Sequence, residues 1–193
     1  MRIALCGSGG TGKSTMARLI AKDLGLELPP SQSRAVLMEL GLAEVQLDQQ
    51  TLEQRYMIQR TMLERKVRLD HDYSNAVFDR TILDHFFYLQ YYGAGAMDDA
   101  THRTTEKAVM AHMKIYDIVL YCPFYDWPDT SVDGLRREGR GYRFFCDRTM
   151  FGMLAGARLR FFRVPNSLPQ HRLAWFKKIV LPTITHSLSE VSA

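Results

Sequence analysis

The stretch GSGGTGKS, Gly7 to Ser14, puts glycines at 7, 9, 10 and 12 between a short apolar run and a helical periodicity. Glycine is costly in regular structure and useful where a backbone must bend hard or let a ligand come close. The stretch fits G-x-x-x-x-G-K-[ST] at every specified position. Such a turn aims several backbone N–H groups into one concavity, and the helix that follows adds its partially positive end. Lys13 places a full charge near the β and γ phosphates, and Ser14 offers a hydroxyl to Mg²⁺. Gly7, Ser8, Gly9, Gly10, Thr11, Gly12, Lys13, Ser14 and Thr15 are therefore the expected nucleotide-binding residues, with ATP and Mg²⁺ as cofactors. The motif specifies a nucleoside triphosphate; GTPases, motors and kinases share it.

The pattern around the motif predicts an α/β domain. RIALC is a short buried strand, and Ser14 to Leu24 is a helix with Met16, Leu19, Ile20 and Leu24 on one face. LELPP reads as a weak second strand, and NAVFD and YDIVLYC as buried strands. RFFRVP reads as a last strand before a closing helix from Pro169. Helices are expected over Ser33–Leu40, Asp48 to about Tyr73, Ile82–Tyr92 and Ala100–Met113, and again after the Arg- and Gly-rich DTSVDGLRREGRGYRFFCDR. Alternation of this kind indicates a parallel sheet with helices on both faces, whose ligands sit beyond the carboxyl ends of the strands. No repeat or linker divides the 193 residues, so one domain is expected.

Asp79 ends a buried strand at that ligand-binding end. A carboxylate there can hold Mg²⁺, accept the proton of an attacking hydroxyl, or cap the following helix. Arg80 can orient an anionic or hydroxylated acceptor, stabilise a transferring phosphoryl group, or form a structural ion pair. Asp84 follows one helical turn later, as an acceptor-site residue or a structural one. Arg136, Arg137, Arg140 and Arg143, spaced by glycines, suit a mobile cationic lid over about residues 129–148. Arg136 and Arg140 lead as catalytic candidates, and Arg143 follows as an acceptor contact. Closure of such a lid excludes water, which competes as acceptor. Arg34 would sit on the acceptor side of the cleft. Leu52, Tyr56, Ile58, Met62, Leu63 and Val67 form a core stripe on the long helix, and Gln54, Arg55, Gln59 and Arg60 line its other side, a solvated face or an acceptor contact.

The composition excludes several classes. No apolar run approaches the ~20 residues a membrane helix needs, and the start of the chain reads as strand and loop rather than a signal peptide. Cys6, Cys122 and Cys146 lack metal or redox spacing and read as reduced thiols of a cytoplasmic protein. A net charge of +4 suits a phosphorylated partner.

GSGGTGKST, SQSRAVLMELG, FDRTILDHFFY, DGLRREGRGYRFFCDR and FFRVPNSLPQHRLAWF occur in the order of the NadR-like P-loop ATPase/kinase family, which the chain resembles over nearly its whole length. That group includes nicotinamide riboside kinase domains and many bacteriophage kinases. The resemblance implies a five-stranded parallel sheet of order 2-3-1-4-5, Mg²⁺-ATP, a catalytic carboxylate at Asp79, a lid around Arg136 to Arg143 and an acceptor contact at Arg34. It places the adenine near the 165–169 backbone and Asn166, a segment that reads equally as an ordinary strand-to-helix turn capped by Ser167 or Asn166. It implies a small nucleoside or nucleotide acceptor, without an adjoining adenylyltransferase domain. The alternatives are a hydroxymethyluracil base within phage DNA, with host cytoplasm as the location, and a regulatory P-loop ATPase.

Overall fold

The computed structural model describes residues 1–42, 44–125 and 139–183. Four parallel strands form the sheet: β1 (Arg2–Cys6), β2 (Ala76–Asp79), β3 (Ile118–Tyr121) and β4 (Phe162–Arg163), in the order β2-β1-β3-β4. Ile3 pairs with Val77 on one side and Ile118 on the other, and Leu5 pairs with Asp79 and Leu120. β1, β2 and β3 are apolar on both faces because both are covered, as parallel sheets require. Ile3, Leu5, Val77 and Leu120 face one core, with Met16, Ala17, Ile20, Phe176 and Val180 packed over them. Ala4, Cys6, Phe78 and Tyr121 face the other, beneath Leu83, Phe86, Met150 and Leu154.

The helices are α1 (Lys13–Leu24), α2 (Gln32–Glu39), α3 (Leu52–Asp72), α4 (Ile82–Gly93), α5 (Asp99–His112), α6 (Arg140–Gly156) and α7 (Pro169–Trp175), which runs on as a π-helical turn, Phe176–Val180. α3 and α4 each start with a capping box, Thr51 with Gln54 and Thr81 with Asp84, which satisfies amides that helix ends leave open. α4 packs against α3, α5 and α6, and its Ile82, Leu83, Phe86, Phe87 and Leu89 are buried in the core beneath one face of the sheet. Removing a side chain as deep as Phe86 would cost about 3–5 kcal/mol. No helix among the described residues is long and apolar enough to cross a membrane.

The structure corrects the sequence reading in three places. The sheet has four strands, not five, and its order departs from the expected 2-3-1-4-5. Residues 26–30 contribute a single bridge, Glu27 with Ala76. Pro29 and Pro30 have no N–H to extend a ladder there. The helix expected from Asp48 divides into a 3₁₀ turn, Glu44–Gln49, and α3, because Thr51 caps a new start. α6 begins at Arg140, inside the stretch read as a glycine-rich lid. Cys146, Met150 and Leu154 recur every four residues on its buried side, and this stripe holds the helix against β3. Arg136 and Arg137, with residues 129–138 of the expected lid, lie outside the described residues.

Candidate active site

β1 ends at Cys6 and the chain turns at once into the glycine loop. Gly7 adopts φ +140°, and a Cβ there would stand 2.4 Å from the Cys122 carbonyl oxygen on the neighbouring strand. Only glycine lets the loop leave the sheet so close to β3. Gly12 adopts φ +83° immediately before α1. The loop thus ends on the helix N-terminus, where open amides and the dipole favour an anion.

Lys13 is buried, 5% exposed, and its ammonium donates to the Ser8 carbonyl and, over 3.3 Å, to Thr11 Oγ1. Burial holds its pKa below the usual lysine value, and the Arg80 charge pushes the same way, while Asp84 and Asp79 oppose. The Ser8 hydroxyl is buried without a hydrogen-bond partner among the described residues. Ser14 is exposed in the first turn of α1. Burial pushes the Cys122 thiol beneath the loop up to about 12, with Lys13 and Arg172 pulling it down. It is an inert core group.

Asp79 is half-buried at the end of β2, in register with Leu5 two residues before the loop. Arg80 follows with φ +116°, a conformation L side chains rarely adopt and one that surrounding structure must enforce. Its guanidinium lies 3.7 Å from the Asp84 carboxylate and 5.0 Å from the centre of the Tyr88 ring. Asp84 is fully buried. It accepts from the Gly7 amide at 3.1 Å and from the Thr81 amide and hydroxyl at 2.9 and 2.7 Å.

Beside Asp79 a small pocket lies between the end of β2 and the start of α2. Ser31, Gln32, Lys66, Phe78, Asp79 and His85 contribute to its wall. Lys66 is an ammonium at the wall of this pocket. It is paired with the buried Asp70 and lies 4.3 Å from the Phe78 ring centre. Asp70 also accepts from the Tyr116 hydroxyl at 2.5 Å and bonds His112 at 2.9 Å. Burial drives the His85 pKa well down, and the Lys66 and Arg80 charges add to this, so His85 presents a neutral imidazole.

The remaining sequence candidates are dispersed. Arg34 is exposed on α2, beyond the residues that line the pocket. Arg140 is exposed at the start of α6, and Arg143 lies one turn on, 5.3 Å from the Phe124 ring centre. Gln54 serves the α3 cap, and Arg60 pairs with Glu64 on the solvated face. Gln59 is buried. Sequence reasoning missed Lys66, Asp147 and Arg172. Asp147 accepts from the Tyr121 hydroxyl at 2.7 Å and the Phe124 amide at 2.8 Å, which pins α6 to the end of β3. Lys66 stands four residues after Met62 and three after Leu63, so the stripe that placed those two in the core placed it there too.

The sequence family described as AAA domain matches residues 2–172. No curated protein matches the chain. Among solved structures, the fold is similar to that of NadR protein in complex with NR (TM-score 0.66, 15% identity), over 91% of this chain and 50% of that one. The chain thus spans about half the length of NadR. It is similar to deoxyadenosine kinase from M. mycoides with bound dCTP (TM-score 0.63, 19% identity, 92% and 97% of the two chains). Shikimate kinase from Aquifex aeolicus vf5 matches with TM-score 0.52 at 18% identity, over 97% and 99%. Identities of this size speak for an α/β P-loop kinase-like fold.

Proposed function

This chain belongs to the AAA domain family, and from that premise we propose that it is an ATP-dependent kinase. It transfers a phosphoryl group to a hydroxyl of a small nucleoside, nucleotide or nucleotide-like acceptor. The observation that carries the reading is the place of Asp79. It stands one strand from the phosphate loop and also lines a small pocket at the end of β2. A carboxylate so placed is near the transferred phosphoryl group and open to an acceptor hydroxyl from its other side. The structures named deoxyadenosine kinase and shikimate kinase support this reading by their fold.

The residues fit a nucleotide with its metal. In the glycine loop the buried Ser8 hydroxyl lacks a partner among the described residues, and Ser14 and Asp79 supply two oxygen donors of the kind Mg²⁺ takes. When bound, Mg²⁺-ATP supplies the transferable γ-phosphoryl group. The loop amides and Lys13 hold the phosphate chain and offset the charge that grows between leaving and transferring oxygens. Asp79 orients the acceptor hydroxyl and takes its proton. Arg80, held by Asp84 and Tyr88, is assigned to orienting the acceptor. Arg34 and Arg143 are assigned to the acceptor and Arg140 to the charge on the transferring group; Arg136 lies outside the described residues. Alignment and fixed charge account for most of the rate.

The test is a screen with γ-³²P-ATP over nucleosides, nucleotides, nicotinamide riboside and hydroxymethyluracil-containing DNA. One small acceptor should become labelled, and Lys13→Ala should abolish the label. Phosphate release with no acceptor labelled would point to a regulatory ATPase, and label confined to DNA to a polymer-directed kinase.

A further inference from the structure

Arg172 lies on α7, far along the chain from the phosphate loop, and is 3% exposed. Its Nη1 donates to the Thr11 carbonyl at 2.8 Å, and its Nε donates to the Ser167 carbonyl at 3.0 Å. One carbonyl belongs to the loop. The other belongs to the turn that follows β4. The same Nη1 is 3.0 Å from the point a Gly12 Cβ would occupy, so the guanidinium packs against the loop at its last bend.

We propose that Arg172 is a positioning residue of the nucleotide site: it is a strut that sets the orientation of the Thr11–Gly12 peptide and couples the phosphate loop to the turn at residues 165–168. The physical reason lies in the peptide plane. In a trans peptide the C=O of one residue and the N–H of the next point in opposite directions. A hydrogen bond that draws the Thr11 carbonyl outward therefore aims the Gly12 amide inward, toward the anion. The guanidinium is suited to this because its donors are fixed in one rigid fork. One group can hold two carbonyls at a set separation, which an ammonium cannot. Any ligand that moves the turn then shifts the loop through a rigid link, and a phosphate that orders the loop steadies the turn.

The inference rests on the nucleotide site of the kinase reading, and the experiment separates the two. MgADP and inorganic tripolyphosphate are titrated into the full chain by calorimetry, well below the unfolding temperature of each variant. Arg172→Lys and Arg172→Met should each weaken both probes by about tenfold or more, the loss of one charge-assisted hydrogen bond. A merely structural arginine would lower the melting temperature and leave the affinity of the folded protein intact. Folded variants that bind both probes within about twofold of the wild type overturn the proposal. Loss for MgADP with tripolyphosphate unchanged also overturns it, because the effect would then lie on the nucleoside side and not in the loop. Should Arg172→Met fail to fold, Arg172→Lys decides alone, and full wild-type affinity in that variant refutes the two-carbonyl strut. A wild-type protein that binds neither probe removes the nucleotide site itself, and the strut with it.

Discussion

The Gly7 amide donates to the Asp84 carboxylate over 3.1 Å, so the first glycine of the phosphate loop hangs from the first turn of α4. The other carboxylate oxygen closes the Thr81 cap. Asp84 therefore joins the end of β1 to the end of β2. Asp84→Asn offers an NH₂ group to one of these two donors, whichever way the amide turns. Stability without ligand should fall by about 2–4 kcal/mol, measured by urea unfolding. A residue that only touched the acceptor would leave that stability unchanged and move the acceptor KM alone.

Gly7→Ala should be the most damaging single methyl in the loop. The added carbon meets a backbone carbonyl at 2.4 Å, which no side-chain rotation relieves, and φ +140° is strained for alanine. A loss of about 3 kcal/mol or more is expected. Gly9→Ala is the control, since a Cβ there meets nothing within 4 Å. Equal unfolding midpoints for the two variants would contradict the placement of β3 against the loop.

The phosphate loop was legible because its motif is contiguous in the sequence, although the carbonyl that bars a side chain at Gly7 belongs to Cys122, far along the chain. β1, β2 and β3 were legible for a similar reason, as unbroken apolar runs that only a covered parallel sheet explains. The edge was not. Whether residues 26–30 pair as a strand depends on the amides that Pro29 and Pro30 lack, and the reading weighed their apolar neighbours instead. The start of α6 was hidden by glycines and arginines that suit a loop. The buried repeat of Cys146, Met150 and Leu154 decides it, and that repeat counts only once β3 is there to receive it. Arg172 and Asp147 gave no local signal, because the first acts on a carbonyl 161 residues away and the second on the end of another strand.

Lys13→Met should separate folding from chemistry. The wild-type ammonium is buried, and burial already disfavours its charged form. A thioether of similar length removes that cost. Unfolding midpoints without ligand should stay level or rise, while phosphoryl transfer disappears. A variant that unfolds readily yet keeps turnover would contradict the role given to Lys13.

Asp79→Asn should lower kcat by at least about a hundredfold and weaken MgATP far less, because Ser14 still offers the metal an oxygen while the general base is lost. The two quantities come from single-turnover kinetics and from calorimetric titration. If affinity for MgATP falls as far as kcat and affinity for the free nucleotide does not, Asp79 acts through the metal alone and the proton goes elsewhere.

His85 makes the fold sensitive to acid. The residue is 4% exposed at the wall of the pocket beside Asp79, and its folded pKa lies well below the usual histidine value, first through burial and then through Lys66 and Arg80. The unfolded chain takes up a proton at about pH 6.5, whereas the folded chain does not until the pH is far lower. Below about pH 6.5 the unfolded state therefore binds more protons, and stability declines as the pH falls, by up to about 1.4 kcal/mol per pH unit. Above that value both states carry a neutral ring and the contribution is level. Urea unfolding of wild type and His85→Gln between about pH 5 and 7.5 isolates it, since the other histidines contribute equally to both curves. The wild-type curve should fall more steeply on the acid side, and the two should run parallel above pH 7. Curves parallel throughout would mean that His85 titrates alike in the folded and unfolded chains, against its burial beside Lys66 and Arg80.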